Sequence, residues 1–421
     1  MFQHAFLLSG VSALALLLPL ATAAGSAAAQ ETGVAAEDDG AGLDQIVVTA
    51  RRREEGIQEI PVAVSAFDAE ALERRQIQST QELDRITPSL QFSTSGQLTG
   101  NNSGAVVFIR GVGQIDPTSA VDPGVGIYID EVYAGRAVGG AMDFRDIKSV
   151  EVLRGPQGTL FGRNTIGGAI LVRTNEPGDE FGGTLRTRVG QDNLREGFAA
   201  VDLPLSDTLK SRLSAGFRKR DGYVERVSDG MDLGDDDTYT LTGSLKWDPT
   251  SDFDLIIRAD YSKEDENGSP FVFAGINENA PVPAIVSVAA GCPGATIPFA
   301  PFAPGDPQFG APFVPSIDDP RCANDFQELG HFTNGGNAPV ESQLENKGIS
   351  ATANWAINDN MSLKSITSLR EIEWSGIRDA DNTPFTLITT DYWSESEQLS
   401  QEFQASFDFD RVDGVAGIYY F

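Results

Sequence analysis

The chain has 421 residues and a formal net charge of -30, with 31 Lys and Arg against 61 Asp and Glu. That balance argues against nucleic-acid binding, which relies on clustered Lys and Arg to neutralise phosphates. Only two histidines are present, and His4 falls in an N-terminal leader, so His-based triads and His-rich metal sites are nearly excluded.

Residues 1–29 read as a secretory signal: an apolar stretch over 5–20 is followed by small residues ending in the A-x-A pattern Ala27, Ala28, Ala29. The leader lacks Lys and Arg before its apolar core, a departure from the usual signal pattern. No later run of about 18 apolar residues exists, so the exported chain is either soluble or a β-barrel. Residues 30–43 are small, acidic and Gly/Ala-rich, which predicts a disordered arm. The DQIVVTA stretch at 44–50 then reads as a short strand able to lend its backbone to another protein's sheet.

Residues 56–177 read as an α+β unit. Asp68 is placed to cap a helix over 69–75, and Ser79 or Thr80 to cap a second turn ending before Pro88. Strands are predicted at 105–109, 125–129, 150–153 and 169–173, from β-branched residues bounded by glycine. The Gly-rich stretch 155–168 lacks the Gly-Lys-Ser/Thr ending of a phosphate loop, and Gly111 to Gly113 lack the third glycine of a dinucleotide fingerprint. No residue set reads as catalytic, which points away from an enzyme.

From 181 onward the period becomes two. In 209–217 the odd positions are Leu, Ser, Leu, Ala and Phe while the even ones are Lys, Arg, Ser and Gly, and similar alternation recurs at 239–247, 253–261, 349–357 and 399–409. Short connections at 206–207, 248–252, 358–360 and 410–414 alternate with long ones at 221–237, 264–343 and 376–390, the asymmetry of an outer-membrane barrel. Tyr223, Trp247, Tyr261, Trp355 and Trp374 suit interfacial girdles or ordinary packing. Cys292 and Cys322, the only cysteines, share one long loop, and in an exported protein such a pair suggests a disulfide worth about 3 to 4 kcal/mol of loop-closure entropy. The acidic run 229–237 lacks EF-hand spacing and reads as a solvated loop, so no metal is assigned.

These segments resemble a known family. DQIVVTA looks like a TonB box, and FIRGVG (108–113), GVGIYIDEVYAGR (124–136) and VEVLRGPQGTLFGRNTIGGAI (150–170) resemble plug-domain motifs of TonB-dependent outer-membrane receptors, nearest the iron–siderophore branch. The resemblance implies an α+β plug followed by an antiparallel transmembrane β-barrel at 181–421, incomplete at about nine strands of an expected 22 or so. The terminal GIYYF then reads as an internal barrel segment rather than a closing strand, and the chain as a fragment or truncated product unable to transport alone. The arm at 30–43 leaves no room for the extra signalling domain of transducing members, which favours transport.

By the same resemblance Asp44, Gln45, Ile46, Val47, Val48, Thr49 and Ala50 would bind the periplasmic domain of TonB. Arg110 and Arg154 would seat the plug on barrel-wall carboxylates, with Glu402 a candidate partner. The implied setting is the outer membrane with its lipopolysaccharide. The implied ligand is a ferric siderophore, transported rather than held as a cofactor, with a vitamin, an oligosaccharide or an aromatic compound as alternatives.

Overall fold

A computed structural model describes residues 47–421 except 50, 54, 59, 95–98, 116–117, 119–120, 139, 141–144, 278–280 and 297–313. The signal, the arm, and Asp44, Gln45, Ile46 and Ala50 lie outside the described residues. Among the described residues no helix is long and apolar enough to cross a membrane.

The plug is built on a five-stranded sheet in the order Val64–Asp68, Ile147–Arg154, Gly168–Thr174, Val125–Ile129, Val132–Tyr133. Alternation along these strands makes two faces. Val150, Val152, Ile170, Val172, Val125 and Ile127 meet Phe67, Leu72, Leu83 and Ile109 on one side. Leu153, Ala169, Leu171 and Tyr128 meet Val48, Ile60 and Phe161 on the other. Asp68 caps the helix Ala69–Arg74 by accepting from the Ala71 amide at 2.7 Å, and Leu72 is that helix's buried residue. The second turn forms as the 3-10 helix Gln81–Arg85, but Thr80 makes no side-chain cap to it.

Nine antiparallel strands form the wall, each paired with its sequence neighbour: Gly182–Val189, Arg195–Ser206, Leu209–Arg220, Asp236–Thr250, Phe253–Glu266, Glu341–Asn358, Met361–Asp379, Thr389–Phe409 and Val412–Tyr420. The first and last pair on one side only among the described residues, so the wall is an open part of a barrel. Its register keeps faces separate. Leu213, Leu241, Ile257, Ile349, Leu369, Leu399 and Phe403 are exposed on the outer side, whereas Ser214, Ile256, Leu344, Ile366, Ile372, Ser368 and Gln404 are buried toward the plug. Trp247 and Trp355 lie outward near the short turns, as a girdle requires. Trp374 does not: it is 3% exposed, stacks on Tyr392 and packs with Val138 of the plug. Its even position in the Glu341–Asn358 to Met361–Asp379 register turns it inward.

At the end of the long loops, Val224–Arg226 pairs with Met231–Leu233 and with Thr333–Asn334, tying two loops together. Cys292 and Cys322 are bonded, with Cα atoms 4.9 Å apart. The acidic run is more than a solvated loop. Asp229 meets Arg226 at 2.5 Å, Asp236 meets Arg220 at 2.7 Å and Asp237 meets Lys219 at 2.8 Å. Among the described residues no group of three or more His, Cys, Asp or Glu is arranged to hold a metal.

Plug backbone comes close against the wall at Gly376, where a Cβ would stand 2.2 Å from the Thr99 carbonyl and 2.7 Å from the Asn101 amide. Gly376→Val should therefore destabilise the seated plug by about 2 kcal/mol through overpacking. Gly158→Ala, where a Cβ meets nothing within 4 Å, should be near neutral. Calorimetry of the protein in detergent compares the two, and equal unfolding profiles would count against this contact.

Candidate functional site: the 47–49 strand and the plug–wall junction

Val47–Val48 does not extend freely but folds back, pairing antiparallel with Glu55–Gly56. Arg52 at the turn takes a left-handed conformation, φ +62°. Val48 is fully buried in the second plug core. Thr49 donates its amide to both oxygens of Glu151, at 2.9 and 3.0 Å, and its hydroxyl to the first at 3.0 Å. Burial pushes the Glu151 carboxyl above its ordinary value, and the Thr49 donors oppose that shift.

Beside this clasp, Arg52 runs into the junction between plug and wall. Its guanidinium lies 4.5 Å from the Phe161 ring centre and 5.5 Å from that of Tyr128. It stands 3.7 Å from Glu131 of the plug and 3.7 Å from Glu402 of the wall. Lys364 of the wall binds Glu131 at 2.6 Å. Burial opposes ionisation of Glu131, but Lys364 and Arg52 outweigh it and hold the carboxyl below its usual range. Asp130 and Glu131 both have positive φ, +47° and +68°, in the two-residue turn between Val125–Ile129 and Val132–Tyr133. That turn aims two adjacent carboxylates at the wall.

Glu402 thus faces Arg52 rather than Arg110 or Arg154. The register places Glu402 opposite Ile366 and Tyr419, at the level of the 51–53 turn. Arg110 is exposed, at φ +54°, with its guanidinium over Gly155, and Arg154 donates its backbone amide to Ala63 at 2.9 Å. No ion pair joins either arginine to a wall carboxylate among the described residues. Over most of this interface the expected polarity is reversed, with plug acids held by wall cations. Asp146 takes Arg212 at 2.7 Å, Asp130 takes Arg258 at 3.3 Å and Glu176 takes Lys246 at 2.8 Å. Arg53 with Asp413, at 2.7 Å, follows Arg52 in the opposite sense.

A polar cavity of about 680 Å³ separates the plug segment 78–85 from the wall strands between Leu209 and Glu266, lined by Asp146, Arg212, Arg258, Glu264 and Arg370 among others. Asn101 and Asn102 reach wall groups above it, Asn101 donating to the Gln343 and Ser375 carbonyls at 3.3 and 3.2 Å. Sequence reasoning missed Arg52, Glu131 and Glu151. A signal existed for Glu151, an acid set among Val150, Val152 and Leu153 in the strand Ile147–Arg154. Nothing local singles out Arg52 among Arg51, Arg52 and Arg53.

Residues 56–169 match the TonB-dependent Receptor Plug Domain. By sequence the chain is similar to the vitamin B12 transporter BtuB of Vibrio vulnificus, 27% identical over 192 residues, covering 45% of this chain and 30% of that protein. It is also similar to the iron-regulated outer membrane virulence protein of Vibrio cholerae serotype O1, 26% identical over 236 residues, covering 54% and 35%. By structure it is similar to the ferric yersiniabactin uptake receptor FyuA of Yersinia pestis, with a TM-score of 0.63, 20% identity and coverage of 85% of this chain and 48% of that one. The ferripyoverdine receptor of the Pseudomonas aeruginosa outer membrane gives 0.62, 16%, 92% and 45%. Residues 56–169 thus carry the plug domain of TonB-dependent receptors, and the fold is that of such a plug with part of an antiparallel barrel. The chain spans about a third of the curated relatives it matches and under half of the solved receptors.

Removing Arg52 leaves Glu402 without this cation at a nearly dry junction, so Arg52→Ala should destabilise the plug seat by about 3 kcal/mol. The pH dependence at Glu131 has a definite sign. Its folded value is depressed, so its stabilising contribution is present above the ordinary value of 4.5 and is lost as pH falls through the folded value. Unfolding midpoints followed from pH 7 into this acid range should show less acid sensitivity in Glu131→Gln than in the parent. Parallel curves would contradict the assignment.

Proposed function

We propose that the protein is a receptor for energised uptake of a scarce ligand across the outer membrane, and that the ligand is a ferric siderophore. The observation carrying this reading is a strand, Val47–Val48, docked on the plug at its junction with the wall. A segment there can report the state of the plug to the periplasm. Ligand bound at the outer loops and plug apex shifts the plug between states, and the 44–50 strand becomes available to the periplasmic domain of TonB. Such coupling requires the ligand to favour one plug state over the other. TonB pairs with the strand backbone and transmits the energy of the inner-membrane proton gradient. The outward apolar wall faces lipid and, at the loop end, lipopolysaccharide.

The siderophore assignment is supported by the likeness to the ferric yersiniabactin uptake receptor and the ferripyoverdine receptor. A specific observation favours a second reading, uptake of a vitamin, since several sequence relatives are vitamin B12 transporters. The protein's role in either case is transport rather than catalysis.

Strand addition depends on main-chain groups, so Val47→Pro, which removes an N–H, should abolish capture of the receptor by the periplasmic domain of TonB. In cells, with the barrel completed by the second half of a related receptor, the same variant should still bind ⁵⁵Fe-loaded siderophore at the surface but accumulate none. Accumulation unaffected by the variant or by an uncoupler would refute energised uptake. Saturable uptake of cyanocobalamin, with none of iron from hydroxamate or catecholate siderophores, would select the vitamin.

A further inference from the structure

Glu151 occupies an unusual place. It lies on the plug strand Ile147–Arg154, between Ala66 and Leu171 in register, and is 3% exposed. Its face of the sheet carries Leu153, Ala169 and Leu171 packed on Val48, with Arg173 farther along the neighbouring strand. A carboxylate in such a layer is costly unless its oxygens are hydrogen-bonded. Thr49 supplies three donations toward that need. The backbone of Val47–Val48 is meanwhile engaged with Glu55–Gly56, the same groups a partner strand would pair with on that edge. The closed hairpin and the partner-bound strand therefore compete.

We infer that Glu151 is a positioning residue that withholds the 44–50 strand from its periplasmic partner, by gripping Thr49 so that Val47–Val48 stays paired with Glu55–Gly56. The inference rests on the proposed role of that strand and assigns its restraint to one side chain. The grip joins the strand to the plug alone, whereas Arg52 reaches both plug and wall. Plug rearrangement that moves Ile147–Arg154 relative to residue 49 opens the clasp without any change in the wall. Apparent partner affinity is then the intrinsic affinity reduced by the small fraction of open receptor, and weakening the clasp raises that fraction.

The test measures binding of the soluble periplasmic domain of TonB to the ligand-free receptor in detergent, with 44–50 peptides of matching sequence as the reference for intrinsic affinity. Glu151→Gln keeps the side-chain shape and loses the charge, and Thr49→Val loses the hydroxyl donor without touching the plug core. Each should tighten binding about tenfold relative to its peptide. The double variant should tighten it by less than the product of the two single gains, because both weaken the same clasp. Hydrogen exchange in Gly168–Thr174 should stay as in the parent, which separates a released strand from a loosened plug. Unchanged or weaker affinity in both single variants, additive effects, or a gain accompanied by faster exchange in that strand would overturn the role of Glu151. Failure of the peptides themselves to bind would overturn the proposed function of the strand, and the inference with it.

Discussion

The rest of the structure depends on a single register carried across the wall. Arg212 pairs with Ser244, Ser244 with Arg258, Arg258 with Ser350, Ser350 with Ser368 and Ser368 with Ser400, so one inward row of polar side chains crosses six strands. Each neighbouring residue along a strand points the other way, toward lipid. A slip of one residue in any pair would bring Leu213 or Leu369 against the plug and send Arg212 or Ser368 outward. The ion pairs that seat the plug, the burial of Trp374 and the position of Glu402 all presuppose this register.

Within that frame the plug presents carboxylates and the wall presents cations. Asp130, Asp146 and Glu176 are each held by a wall Arg or Lys, and a cavity of about 680 Å³ lies beside them. Such contacts orient more than they bind, since desolvation offsets much of their Coulomb attraction. A plug seated by many oriented polar contacts, with one close backbone approach at Gly376, is held in place beside that cavity. The apolar contribution is local, with Val138 against Leu344, Ile372 and Trp374, and Tyr133 beside Phe421.

Two plug acids at this junction are set in opposite senses. Glu131 sits among cations from both bodies and is held ionised, whereas Glu151 lies in an apolar layer with Thr49 as its donor. The first fastens plug to wall. The second fastens the N-terminal strand to the plug. Their separation matters because a coupling device needs one attachment to persist while the other changes.

Much of this was legible from local pattern. Period-two alternation gave the wall strands and their faces, Asp68 gave the first helix, and the short and long connections gave the two ends, because each depends on neighbours in sequence. The motif resemblance gave the plug, and the 44–50 segment stood out as a strand. The partners did not follow. Glu402 could be placed inside the wall, but its level relative to the plug depends on strand register and on the turn at Arg52, so Arg110 and Arg154 could not be told apart from Arg52 as its companion. Trp374 resembled a girdle residue until the register turned it inward. Sequence by itself determined which residues are strand, which face is lipid and where the family motifs lie. Only the tertiary structure decided which charges meet and that Val47–Val48 is folded back beneath Glu151, because those contacts join residues about 100 positions apart.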